Sequence, residues 1–180
     1  LEGFAPTCLA WTSGRYTHGL IDASLALCYS CNYFFYELGY LMNEEMPIET
    51  CKQLGLGVPS GIELREKEGK LNTKERKKEV YGSGVNANFS AGDRILGAIG
   101  QGEYRFTPLQ LCVYASTLAN KGTRMKATFL SRVVSSDYRE LIYENKPIVE
   151  SQMEMEWTTI DAYWQGMRKV ITTPGGTADK

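Results

Sequence analysis

Cys28-Tyr29-Ser30-Cys31-Asn32-Tyr33-Phe34-Phe35, CYSCNYFF, can be read in two incompatible frames. In one frame Cys28 and Cys31 form C-x-x-C, a redox or zinc spacing. In the other Ser30 and Asn32 form S-x-N, a hydroxyl and a carboxamide two residues apart. Side chains two apart on an α-helix point about 200° away from each other, so the second frame carries chemistry only where the backbone is irregular. From spacing alone the commoner role of such a pair is to supply capping oxygens between two helices.

The flanking residues predict that irregularity. Asp22 is placed to cap a short helix through Leu25, Ala26 and Leu27, and Asn32 to cap a second with Phe34, Phe35, Leu38, Leu41 and Met42 on its apolar circumference. The break between them falls at Ser30–Asn32. The whole stretch 23–42 is apolar apart from Ser24, Ser30, Asn32 and Glu37. Four polar groups suit a lone lipid-exposed helix poorly, and buried core is the expectation.

The C-x-x-C frame finds no support. There are five cysteines, at 8, 28, 31, 51 and 112, and His18 is the sole histidine. A structural zinc site takes four ligands, and no second C-x-x-C or H-x-H pair is spaced to complete one. A thioredoxin-like site wants its C-x-x-C at a helix start after a strand, whereas the segment before Cys28 reads as helix. Small buried thiols, no metal and no cofactor are expected. His18 has no sequence partner to make it a general base.

A chain of 180 residues suffices for one domain. Twenty Lys and Arg against 21 Asp and Glu leave a net charge of −1, which gives no electrostatic basis for nucleic-acid binding. The basic run Lys74–Glu79 is broken by glutamates and reads as a solvated helix face, opened by an Asn72-x-x-Glu75 capping box. Glu44-Glu45 and Glu150, Glu154 and Glu156 read as surface. Leu1-Glu2-Gly3 lacks the basic and apolar regions of a signal peptide. The abrupt start and the end in Thr-Ala-Asp-Lys suggest a piece of something longer.

Further along, Pro47 suits the first turn of a helix ending near Gly55, and GLGVPSG at 55–61 is a loop without a phosphate-binding glycine pattern. Ser90-x-x-Asp93 opens a short helix that Gly97–Gly102 breaks. Thr107-Pro108-Leu109-Gln110 starts a helix, to about Asn120, that has no charge and is apolar nearly all round, so it is expected to lie wrapped by others. Residues 129–135 and 140–145 predict a β-hairpin. Met153, Trp157, Ile160, Trp164, Met167 and Ile171 are spaced 4, 3, 4, 3, 4 and predict one helical stripe packed in the core.

The order of these segments resembles the transpeptidase domain of class B penicillin-binding proteins, from about Pro6 to Ala178. The resemblance rests on the blocks ALxxSCNxxF at 26–35, SGIEL at 60–64, AIGQGxxxxTPLQL at 98–111, LANKGT at 118–123 and the closing Gly166-Met167-Arg168-Lys169-Val170…Gly175-Gly176-Thr177-Ala178. That family works with Ser-x-x-Lys, Ser-x-Asn and Lys-Thr-Gly. Only the middle motif occurs here. Thr123…Lys126 and Thr177…Lys180 copy the first spacing with threonine, but on the wrong side of Ser30.

The resemblance implies that residues 1–180 are a partial transpeptidase domain: the helical subdomain of the α+β serine β-lactamase/transpeptidase-like fold, predominantly α with one hairpin and most of the central sheet missing. It implies Ser30 and Asn32 as site residues of a D,D-transpeptidase that cross-links peptidoglycan stem peptides through a serine acyl-enzyme. Ser30 would relay a proton beside the first motif's lysine, and Asn32 would bind a substrate carbonyl and that lysine. It implies stem peptides and β-lactams as ligands of a full-length parent, other cell-wall synthesis proteins as partners, and an anchor to the outer face of the bacterial cell membrane. Gln101 and Gly102 would shape a loop near the site. The competing reading is a non-catalytic interaction module on the same fold.

Overall fold

The computed structural model describes residues 6–179. The signal-peptide reading at Leu1-Glu2-Gly3 and the lysine of Thr177…Lys180 lie outside the described residues.

The chain forms two compact units, each assembled from separated segments. The first, drawn from residues 1–47, 72–103 and 155–180, holds α1 (Leu9–Gly14), α2 (Ala23–Cys28), α3 (Asn32–Leu41), α5 (Lys74–Tyr81), a 3-10 turn at Val85–Ala87, α6 (Ala91–Gly97) and α8 (Trp157–Thr172). The second, residues 48–71 and 104–154, holds α7 (Pro108–Ala119) and four short strands. The chain passes from one to the other along α4 (Glu45–Gln53).

In the first unit the local signals act as read, with two shifts of one residue. Asp22 caps α2 by accepting from the Leu25 N–H at 2.8 Å. Asn32 is the first residue inside α3 and not its cap; Cys31 occupies the cap position and makes no side-chain cap bond. At α5 the cap is Thr73, which accepts from the Arg76 N–H at 3.1 Å. Asn72 is buried instead: it donates to the Asp93 carbonyl at 3.1 Å and accepts from the Glu103 N–H at 3.2 Å. A buried carboxamide must satisfy both ends, and two backbone groups outside the helix do so.

α6 opens at Ser90 as expected, on a capping box with Asp93, and buries Ile95, worth roughly 2 kcal/mol. α3 lies on α6 through Gly39; a methyl there would stand 2.7 Å from Ala98 Cβ and 2.9 Å from the Arg94 carbonyl oxygen.

α8 packs on α2, though not through the predicted stripe. Ile160 is buried, but Trp157 and Ile171 are more than 60% exposed, and Trp164 and Met167 are open as well. The packing face is set by Gly166, roughly 120° round the helix from Ile160. A Cβ on Gly166 would meet Leu27 Cδ1 at 2.7 Å and the Ser24 carbonyl oxygen at 3.1 Å. The missing side chain lets α2 approach and turns the aromatic stripe outward.

In the second unit, Thr107 and Gln110 form the predicted capping box and Pro108 begins α7. The helix is not wrapped: Gln110, Val113 and Thr117 are buried along one line, while Leu111 and Cys112 face outward. Periodicity shows that a helix is apolar, not how many of its faces meet another element. Gln110 is fully buried because its Nε2 donates to the carbonyls of Val58 at 2.8 Å and Glu68 at 2.7 Å.

The predicted hairpin is β2 (Arg132–Val134) against β3 (Leu141–Glu144). A further antiparallel pair, β1 (Thr123–Met125) with β4 (Val149–Gln152), aligns Thr123 with Gln152 and has a bulge at Arg124/Met125. Strands of three and four residues separated by a whole hairpin leave no periodic signal to read. The fold is predominantly helical with two small sheets. Among the described residues no helix is long and apolar enough to cross a membrane.

Candidate active site

The S-x-N pair sits on the turn between α2 and α3. After Cys28 the chain leaves helical geometry, and Ser30 adopts φ 47°, a left-handed backbone that L-residues other than Gly, Asn and Asp seldom take. Cys31 is extended at φ −74° and ψ 92°, and Asn32 re-enters helix. The turn is fixed by backbone bonds at its base: the Ser30 N–H donates to the Leu27 carbonyl at 3.1 Å and the Cys31 N–H to the Ala26 carbonyl at 2.9 Å.

This geometry separates the four polar candidates. Ser30 is exposed, Asn32 is half-buried and not consumed as a cap, and Cys28 and Cys31 point into different surroundings. Cys28 is fully buried, and its thiol donates to the Lys169 carbonyl at 3.4 Å. Cys31 belongs to a cluster with Cys8, Ala10 and Ala26, over which Ile21, Phe34 and Phe35 pack. Burial pushes the Cys31 thiol above its ordinary value. The neighbouring Tyr33 hydroxyl is also pushed up, by its hydrogen bond to Glu37 and that carboxylate's charge.

Residues far away in sequence complete the surroundings. Beyond α8 the chain doubles back at Thr173–Gly176, and Thr177 Oγ1 lies 2.8 Å from Ser30 Oγ. The Thr177 N–H donates to the Cys28 carbonyl at 3.2 Å, and Lys169 Nζ donates to Ser24 Oγ at 3.2 Å. Gly176 is required by this return. Any Cβ there would fall 2.5 Å from the Val170 carbonyl oxygen and 2.7 Å from that of Lys169, both backbone atoms with no rotamer to change. Spacing could not assign Thr177 to the site; the only trace in the sequence is its place in the closing Gly-Gly-Thr-Ala block.

Gln101 donates its N–H to the Leu96 carbonyl at 3.0 Å, and Gly102 lies against the Asn72 carboxamide.

His18, without a partner in the linear sequence, has several in space. Its ring stacks on Tyr29 with centroids 5.5 Å apart, and its Nδ1 stands 4.0 Å from Cys8 Sγ. Cys8, His18 and Cys31 bring one ligand atom each to within 4.8 Å of the others. The three come from the start of α1, the loop after it and the start of α3, so no motif spacing could reveal them. They line an apolar groove of about 640 Å³ with Trp11, Phe34 and Leu38, which Ser30 and Asn32 do not line.

The penicillin-binding protein transpeptidase domain matches residues 3–180. Among curated proteins, the peptidoglycan D,D-transpeptidase MrdA of Haemophilus influenzae is 28% identical over 169 residues, which is 91% of this chain and 24% of that protein. MrdA of Salmonella typhimurium is 33% identical over 106 residues, 58% of this chain and 16% of that protein. The chain therefore spans about a quarter or less of the curated relatives it matches. Penicillin-binding protein 2B of Streptococcus pneumoniae superimposes with a TM-score of 0.75 over 97% of this chain and 29% of that one, at 22% identity. PBP2 in its complex with MreC from Helicobacter pylori gives 0.68 over 89% of this chain and 27% of that one, at 24% identity. A match across nearly the whole chain, on a fold whose helix break falls at Ser30–Asn32, makes this protein a member of the penicillin-binding protein transpeptidase domain family.

Proposed function

We propose that the chain is the middle of a class B transpeptidase domain, and that Ser30 and Asn32 serve the second of its three motifs. The observation that carries the reading is the left-handed Ser30 between α2 and α3. It lets two side chains at i and i+2 leave one turn, and strained backbone of this kind collects at functional sites.

In the full-length parent Ser30 stands beside the lysine of Ser-x-x-Lys and passes a proton between that amine and the departing amine of a stem peptide. Thr177, bonded to Ser30 Oγ, orients the hydroxyl. Asn32 directs its amide N–H toward the substrate's acyl-amide carbonyl and its oxygen toward the lysine ammonium. The reaction is cleavage of a D-alanyl-D-alanine end through a serine acyl-enzyme, with β-lactams entering as substrate mimics. The parent works on the outer face of the cell membrane, held by an upstream anchor, with stem peptides as substrates. Other cell-wall synthesis proteins are its partners, a reading supported by the solved complex of the Helicobacter pylori relative with MreC.

Acylation needs a nucleophilic oxygen, a neutral amine and donors for the developing oxyanion. This chain holds neither Ser-x-x-Lys nor Lys-Thr-Gly. Labelled β-lactam with intact-mass detection should therefore give no adduct on the 180-residue chain and a single adduct on the full-length protein. Ser30→Ala in the latter should slow acylation by roughly 10²–10⁴-fold. An adduct on Ser30 of the isolated chain would show the nucleophile misplaced. An unreactive full-length protein whose gene lacks both outer motifs would favour the non-catalytic module.

A further inference from the structure

Resting on the acyl-transfer reading of Ser30, we infer that Thr177 is a positioning residue for the proton transfer itself. Its hydroxyl donates to Ser30 Oγ during the reaction, and the polarity of that one hydrogen bond decides whether the Ser30 proton is parked or delivered.

A serine hydroxyl has one hydrogen and two lone pairs. Relaying a proton from the first-motif lysine to a departing amine uses the hydrogen and one of the pairs. Ser30 Oγ takes a proton from the lysine ammonium as its own hydrogen moves to the nitrogen whose bond to the acyl carbon is breaking. The lysine and the leaving group both end as neutral amines, and Ser30 is a hydroxyl again. When an acceptor amine attacks the acyl-enzyme, the same hydrogen and the same lone pair work in the opposite direction. Either way one lone pair of Ser30 is left over, and Thr177 Oγ1 stands 2.8 Å from that oxygen.

The two polarities of this bond are not equivalent. With Ser30 as donor, its single hydrogen is held on Thr177 Oγ1 and cannot reach a leaving group. With Thr177 as donor, the Ser30 hydrogen is free to face the amine, and the Thr177 hydrogen faces the oxygen on which negative charge gathers as its proton departs. Hydrogen bonds strengthen when one partner carries charge. The second polarity therefore gains most at the moment of transfer, which is the condition for an interaction to accelerate a reaction.

Thr177 is held for this duty through its backbone. Its N–H donates to the Cys28 carbonyl at 3.2 Å, and the N–H of Ala178 donates to the Val170 carbonyl at 3.1 Å. Both anchors leave the side chain unused, and among the described residues Ser30 Oγ is the hydrogen-bond partner of Thr177 Oγ1. Both hydroxyls are exposed, so water offers each the same bonds and the pair adds little to stability. A purely structural role accounts poorly for two exposed hydroxyls brought together from 147 residues apart.

The test uses the full-length protein carrying this chain and labelled β-lactam, whose ring nitrogen takes the place of the departing amine. Acylation followed over a range of β-lactam concentrations separates the rate constant from affinity. Thr177→Val keeps the branched shape and both backbone anchors and removes only the hydroxyl. It should lower the acylation rate constant about 10–100-fold, the size of a hydrogen bond to a charged group, with affinity and Tm unchanged. Thr177→Ser should recover the rate. In a Ser30→Ala background Thr177→Val should cost nothing further, because Thr177 acts only through Ser30.

Thr177→Val at the unmutated rate beside a slow Ser30→Ala would overturn this role and leave the Ser30 relay standing. Both variants at the unmutated rate would remove the relay and this role with it. A loss that Thr177→Ser does not recover, a loss that persists in the Ser30→Ala background, or a fall in Tm that accompanies the slower rate would make Thr177 a structural residue and overturn the assignment.

Discussion

Ser30 holds its left-handed backbone at a cost of about 1 kcal/mol relative to glycine at the same φ. If the turn exists to present the hydroxyl, removing the side chain should relieve the backbone and abolish the function together. Ser30→Gly is therefore expected to leave Tm unchanged or raise it, despite losing the exposed bond to Thr177, while β-lactam acylation of the full-length protein falls with that of Ser30→Ala. Thermal melts beside acylation rates decide it; a variant destabilised by several degrees would mean that the Ser30 side chain holds the turn together. The location of this turn was legible beforehand, since Asp22 announces one helix and an apolar run announces the next. What was not legible is that Asn32 stays inside its helix. Cap and first-turn positions differ by a single residue, and the choice is made by the φ of Ser30 and Cys31, which sequence does not print.

α5 and α6 are joined by an ion pair between Lys77 and Asp93 that gives the first unit an acid-sensitive tie. Asp93 is partly buried, which by itself raises its carboxyl. The Lys77 ammonium at 2.6 Å and the Ser90 N–H and hydroxyl at 2.7 and 2.8 Å outweigh that and hold it below its usual range. A group whose folded pKa is depressed stabilises fully above its unfolded pKa, and the contribution drains away as pH falls through the folded value. Stability should thus fall below about pH 4 in a limb that Asp93→Asn removes. Lys77→Met should cost about 2 kcal/mol at neutral pH, measured by urea titration. An unchanged acid limb in Asp93→Asn would assign it to another carboxylate.

The same elements show where sequence reading stops. The helix starts at Ser90 and Thr107 were each written in four consecutive residues and were found as read. Asn72 lost its cap role to Thr73 because its partners, Asp93 and Glu103, come from more than 20 residues away. The α8 stripe failed for a related reason. Periodicity finds an apolar face but cannot weigh it against a glycine that admits a closer neighbour. The cluster of Cys8, His18 and Cys31 escaped because three residues from three elements share no spacing.

The contact of α2 with α8 also has a temporal side. Ser30 and Thr177 are 147 residues apart, Ser24 and Lys169 are 145, and Cys28 and Lys169 are 141. Drawing such ends together carries a closure entropy of about 4 kcal/mol, which neighbouring contacts such as the Asp22 cap do not meet. The interface should therefore form late. Gly166→Ala is expected to speed unfolding more than it slows refolding in a chevron, and the reverse pattern would make α2–α8 docking part of the folding nucleus. In a cell the chain appears N-terminus first, at about 5–20 residues per second. α2 emerges before its partner, which follows only after roughly 7–30 seconds of further synthesis. Throughout that interval the surface that will receive Gly166, including Leu27 and the Ser24 carbonyl, stands open to chaperones, proteases and other nascent chains, and the Ser30 turn awaits Thr177.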